Sequence, residues 1–220
     1  YDLILSFISL FSVYLVSGQQ TLPTENRDYC EWHQHRQHYA LWYLEIDQPE
    51  LIEYLDQIKL QFQDELYAPN LRQYHITLFI CGFLTEQKQL DDDFLKSELQ
   101  AQLTLLFKEN LKQFRLKTGA VNSFESALFV EVEDGTNCLN QIRAVFQRYN
   151  VEIAALEYCP HITLGLYRKV IASDFIFHKI QALSQRSFEL NVERLTFGYF
   201  QANELQGRLF PLQQFNLEKS

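Results

Sequence analysis

The tetrapeptide His75-Ile76-Thr77-Leu78 returns 86 residues later as His161-Ile162-Thr163-Leu164. The same offset lays Leu41-Trp42-Tyr43-Leu44-Glu45-Ile46-Asp47 over Ala127-Leu128-Phe129-Val130-Glu131-Val132-Glu133, in hydrophobic pattern and in a shared Glu. Further along, Arg115-Leu116-Lys117-Thr118-Gly119 is echoed by Arg194-Leu195-Thr196-Phe197-Gly198 at an offset of 79, so the second half is shorter after its motif. A chain repeated in this way builds the same unit twice, and two packed copies leave related lobes about a pseudo-twofold axis.

Periodicity gives each unit the order β-α-β-α-β. In the first half a strand over His38–Ile46 precedes a helix over Pro49–Leu66, whose Leu51, Tyr54, Leu55 and Ile58 recur at helical spacing. The motif strand Tyr74–Phe83 follows, then a helix over Asp91–Leu111 opened by three carboxylates, which suit a helix N-terminus, and a strand over Phe114–Val121. The second half reads strand Ala127–Glu133, helix Thr136–Tyr149, motif strand Pro160–Tyr167, helix Ser173–Leu183, and strands over Phe188–Phe200 and Arg208–Leu217. The expected fold is α+β and bilobal, with antiparallel sheets facing a central cleft and helices outside. Lobe 1 covers about 38–121 and lobe 2 about 122–217 of a domain spanning 38–217.

Residues 1–37 read as an apolar segment followed by a polar linker. Leu3 to Val16 are nearly all apolar or Ser, and Val16-Ser17-Gly18 resembles a small-residue cleavage site, yet no basic stretch precedes them. A cytoplasmic protein is expected, or an exported one if 1–18 is a signal segment. The formal charge of -9 provides no broad basic field for duplex nucleic acid, so a nucleic-acid substrate has to be gripped locally, as a nucleotide or an RNA end. Cys30, Cys81, Cys138 and Cys159 lack Cys-x-x-Cys spacing, which excludes a zinc knuckle and a dense disulfide framework and leaves buried thiols as the expectation.

In a strand His75 and Thr77 share one face and Ile76 and Leu78 the other, and the second motif repeats this with His161 and Thr163. Packing rewards the Ile and Leu but gives no reason to keep a His and a Thr on the cleft face twice. Cleaving a phosphodiester without a metal needs one group to take a proton and another to give one, and His does either near neutrality. Each Thr hydroxyl can hydrogen-bond a non-bridging phosphate oxygen.

The paired motif resembles that of the 2H phosphoesterase superfamily, which includes LigT-type RNA 2',3'-cyclic phosphodiesterases, also called 2'-5' RNA ligases. The similarity covers about His38 to Leu217. It implies His75, Thr77, His161 and Thr163 as catalytic residues, a bilobal α+β fold, no metal, and hydrolysis of cyclic or linear phosphodiesters of nucleotides or RNA ends; a monomer without a cofactor is the accompanying expectation. By the same analogy His161 is the base and His75 the acid. LigT-type members follow the second motif closely with an Arg. Here Gly165-Leu166-Tyr167 intervenes before Arg168, which strict alternation turns away from His161. Arg168, Tyr167 and Phe79 are the candidate substrate-binding residues, with Tyr158 a further ring beside a motif. The apolar run Phe79-Ile80-Cys81-Gly82-Phe83 leans the substrate towards something small.

A nucleotide-binding module without turnover is the alternative from another class, although binding alone does not require a matched acid and base. The absence of a Gly-x-x-x-x-Gly-Lys-Ser/Thr loop removes the commonest nucleoside-triphosphate signature. His33, His35 and His38 fit no closed metal site and read as a polar loop leading into the first strand.

Overall fold

The structure, a computed structural model, describes residues 13–153 and 157–219. A short helix α1 (Cys30–His33) precedes β1 (His38–Glu45), α2 (Pro49–Gln61), β2 (His75–Thr85), β3 (Asp93–Leu95), α3 (Lys96–Glu109) and β4 (Phe114–Ser123). The second half runs β5 (Ala127–Glu133), α4 (Cys138–Gln147), β6 (His161–Leu166), α5 (Ser173–Gln181), β7 (Glu189–Val192), β8 (Arg194–Gln201) and β9 (Leu209–Asn216).

The strands form one sheet in the order β7-β4-β5-β6-β2-β1-β8-β9, with β3 added on β2. Among these strand pairs only β2–β3 is parallel, so the α+β class and its antiparallel pairing hold. The two half-sheets join at the centre, where Ile76 of β2 pairs with Ile162 of β6.

The lobes do not follow the expected boundary at 121/122. β4, which ends the first repeat, pairs with β5 and β7, whereas β8 from the second repeat pairs with β1 and β9. Each repeat therefore hands its last strand to the other lobe. The strand expected over Phe188–Phe200 is for this reason two strands, β7 beside β4 and β8 across the sheet beside β1.

Helices cover one face of the sheet. Leu51, Tyr54, Leu55 and Ile58 of α2 are buried as their spacing requires, and Leu139, Ile142, Val145 and Phe146 of α4 do the same. They meet Trp42, Leu44, Ile76, Leu78, Leu128, Val130, Ile162 and Leu164 in one continuous core. The indole of Trp42 stacks on Phe146 with ring centroids 5.1 Å apart and donates to Gln102 Oε1 at 2.8 Å, so its polar atom is satisfied where it is buried.

Three further expectations need correction. The helix expected from Asp91 begins only at Lys96, because Asp92 and Asp93 ion-pair with Arg36 and Asp93 accepts the amides of Gln89 and Leu90. The domain does not begin at His38. Leu15 is buried in the core and its amide donates to the Ser123 carbonyl at 2.9 Å, the amides of Thr21, Leu22 and Thr24 donate to Ile171, Glu125 and Tyr167, and Trp32 and His33 are buried in α1. The expected export signal falls mainly on residues outside the described ones. Of the four free cysteines Cys81 is buried, but Cys30 is exposed and Cys138 and Cys159 are partly so, since they lie outside the strand faces that make the core. Among the described residues no helix is long and apolar enough to cross a membrane.

Candidate active site

The sheet face opposite the helices carries a cavity of about 280 Å³ lined by His75, Thr77, His161 and Thr163. Antiparallel pairing of Ile76 with Ile162 sets His75 across from Thr163 and Thr77 across from His161. The histidines are thus diagonal neighbours, about 7–8 Å apart in ordinary sheet geometry and somewhat closer between Cβ atoms, which suits two groups flanking one phosphate.

Local structure holds the two imidazoles in the same way. His75 Nδ1 bonds the Gln73 carbonyl at 2.8 Å, and His161 Nδ1 bonds the Cys159 carbonyl at 2.7 Å. Because a carbonyl only accepts, each Nδ1 carries the hydrogen, leaving Nε2 for chemistry. A ring at the same place in each repeat backs each imidazole: Tyr43 lies edge-on to His75 with centroids 5.8 Å apart, and Phe129 edge-on to His161 at 5.4 Å. Phe124 adds a second edge contact to His161 at 5.0 Å.

A bulge recurs with the motif. Trp42 pairs with Phe79 but Tyr43 with Thr77, and Leu128 pairs with Gly165 but Phe129 with Thr163, so Leu78 and Leu164 are extra residues at equivalent positions of β2 and β6. An extra residue flips the alternation beyond it. Phe79 is therefore not a substrate contact; it is fully buried in the helix-side core, 5.3 Å from Phe146. Tyr167 is likewise buried, its hydroxyl 2.7 Å from that of Ser123. Ile80 and Leu166, again equivalent, line the cavity in their place. Arg168 lies past the end of β6, exposed, with Nε donating to the Asp64 carbonyl at 3.0 Å and no place in the cavity lining. Tyr158 donates its hydroxyl to the Thr77 carbonyl and lies under the Arg143 guanidinium, so it is structural.

Two cations line the cavity, Arg27 and Arg72, and the one without a carboxylate partner among the described residues is Arg72, which the sequence alone does not single out. Its Nε donates to the Gly207 carbonyl at 2.9 Å and its guanidinium lies 3.9 Å from the centre of the Phe200 ring. Burial pulls its pKa down to about 10, and no carboxylate among the described residues pairs with it. A partly buried cation without a counter-ion, next to two imidazoles, is an invitation to an anion. Its sequence signal was weak, because the repeat offset puts Tyr158 at the matching place in the second half.

Desolvation and then the Arg72 charge push His75 down from the ordinary 6.5 to about 3, against the Gln73 carbonyl, which favours the charged form. His161 is also lowered by desolvation, with the Cys159 carbonyl opposing. Both imidazoles are therefore neutral at rest. The unfolded chain takes up a proton near 6.5 and the folded chain does not, so stability present above that pH is lost as the pH falls from about 6.5 towards about 3. Urea unfolding of the free protein across this window should show the loss, and His75→Gln should flatten it.

Three possible metal ligands, Asp28, Cys30 and His33, lie within 4.8 Å of one another in the described residues, and the cluster includes neither His75 nor His161. His33 Nδ1 accepts the His35 amide at 3.1 Å, so its Nε2 carries the hydrogen and donates to Asp28 at 2.6 Å. Neither nitrogen then has a lone pair to offer a metal.

The profile of the 2'-5' RNA ligase superfamily matches residues 47–204, most of the chain and both motifs. The chain belongs to the 2'-5' RNA ligase superfamily. Among solved structures, Escherichia coli LigT complexed with 3'-AMP aligns with a TM-score of 0.53 at 16% identity, over 82% of this chain and 98% of that one. TT0787 of Thermus thermophilus aligns at 0.51 and 15% identity, again over 82% and 98%. A structure described as a phosphoesterase aligns at 0.50 and 14% identity, over 82% and 99%. These likenesses show that the chain has the LigT-like fold of the 2H phosphoesterases. No curated protein sequence matches the chain.

Proposed function

We propose that this member of the superfamily is a metal-independent phosphodiesterase, acting as a monomer on a phosphodiester of a nucleotide or RNA end, 2',3'-cyclic esters included. The observation that carries the reading is the matched pair of imidazoles, each oriented through Nδ1 by its own strand, on one cavity with the unpaired Arg72. That E. coli LigT has been solved with 3'-AMP supports a nucleotide as the ligand class.

Arg72, Thr77 and Thr163 hold the phosphate oxygens while a water attacks phosphorus. As the new P–O bond forms, the water proton passes to Nε2 of one histidine. As the ester P–O bond breaks, the leaving oxygen takes a proton from Nε2–H of the other. Because the Arg72 charge disfavours protonated His75, His75 is the base and His161 the acid, the reverse of the assignment by analogy. The negative charge of bound substrate raises His161 into its acid form.

Incubation with 2',3'-cyclic nucleotides, linear dinucleotides and cyclic-ended RNA in EDTA tests the reading. Hydrolysis should proceed with EDTA present; activity lost in EDTA and restored by zinc or manganese rejects the metal-free mechanism. Thr77→Ala and Thr163→Ala should each lower turnover less than loss of either histidine, since each removes one hydrogen bond to charge and no proton-transfer partner.

A further inference from the structure

Between Thr24 and Trp32 the chain crosses from one lobe to the other beside the cavity. Thr24 is fixed to the lobe of the second motif, its amide donating to the Tyr167 carbonyl at 2.8 Å. Trp32 is buried against the other lobe, 4.9 Å from the ring of Tyr39 and 5.1 Å from that of Phe83. Between these anchors Arg27 and Tyr29 line the same cavity as the two histidines. All of these residues except Phe83 and Tyr167 precede the segment matched by the family profile.

The strap breaks the pseudo-twofold symmetry of the site. Tyr29, Trp32, Tyr39 and Phe200 belong to one packed cluster and give their part of the cavity lining an aromatic character, whereas Ala127, Leu166 and Leu205 line the cavity from another cluster. Of the two cations at this end, Arg72 on Phe200 is the one left for the reacting phosphate, whereas Arg27 lies 4.0 Å over the Tyr29 ring and ion-pairs with Glu25 and Glu31. An RNA strand running out of the site needs a cationic track for its further phosphates, and beyond Arg72 this end presents rings and a neutralised cation. A cavity of about 280 Å³ also sits at the low end for ligand sites.

We propose that residues 25–32 form a strap that closes the site to mononucleotide size and seats the planar base of a mononucleotide against Tyr29 and Phe200, selecting it over an RNA chain end. The choice of bond cleaved rests on the phosphodiesterase reading; the base seat does not.

The test compares a 2',3'-cyclic mononucleotide with a short RNA ending in the same cyclic phosphate. The mononucleotide should be preferred in kcat/KM by at least about 10-fold, and equal or better use of the RNA overturns the proposal. Tyr29→Ala should raise KM for the mononucleotide about 10-fold, more than it lowers kcat; an unchanged KM overturns the seat. Because the Tyr29 hydroxyl also ties the strap to the Glu25 carbonyl, Tyr29→Phe is the control. It should keep the wild-type KM, and a rise equal to that of the Ala variant would assign the effect to strap folding and overturn stacking. If neither substrate is turned over, calorimetry with a 3'-mononucleotide and with inorganic phosphate separates the two readings. Binding of the mononucleotide at least about 10-fold tighter, lost in Tyr29→Ala, keeps the seat while the catalytic reading fails; equal affinities overturn the seat.

Discussion

His75→Ala and His161→Ala are each expected to lower turnover of a 2',3'-cyclic nucleotide by at least about 100-fold, the scale of one lost proton-transfer partner. The double variant should cost less than the product of the two, because both groups act on one transition state. Neither change should unfold the chain. Both imidazoles are only partly buried and open onto the cavity, and each loses a single hydrogen bond to a carbonyl that solvent can replace. Steady-state kinetics on protein shown free of host phosphodiesterase, with circular dichroism to confirm folding, is the check. Wild-type turnover in either single variant removes the acid–base pair from the mechanism.

Arg72→Ala should lower kcat/KM by about 100-fold, mostly through KM, as it removes the unpaired cation that meets the phosphate. It should also move the pH profile. The acid limb reports protonation of the base, and the Arg72 charge is one of the causes that lower His75, so its removal must shift that limb to higher pH. Arg72→Lys keeps a charge but loses the bond to Gly207 and the flat contact with Phe200, so it should recover part of the affinity. An acid limb unmoved in Arg72→Ala would mean that His75 is not the base.

The duplicated frame was legible because hydrophobic spacing and a fixed offset survive in a single sequence. The positions of β1, β2, β5 and β6 and the buried face of α2 follow from it to within a few residues. Pairing between lobes was not legible, since nothing local tells β7 to join β4 or β8 to join β1. Two of the wrong candidates share one cause: Phe79 and Tyr167 flank the motifs, and the bulges at Leu78 and Leu164 turn both into the core. A signal did exist, for the offset of 86 also aligns Ile80 with Leu166, both of which line the cavity. Arg72 and Phe200 come from a loop and a strand end that have no echo in the repeat, and only the tertiary fold brings them together. Residues 13–37 misled because they read as the end of an apolar segment followed by a polar linker. Their backbone amides and a few buried side chains, Leu15 and Trp32 among them, fix them to the domain.

The claim that both histidines serve one phosphate is tested most directly by long-range ¹H–¹⁵N spectroscopy of the imidazoles while a 3'-mononucleotide is titrated in. Both Nε2 signals should move with a single shared Kd, because one anion faces both rings, and that of His161 should move towards the protonated, hydrogen-bonded position. Movement of one histidine alone, or of the two with different Kd values, would contradict a shared site.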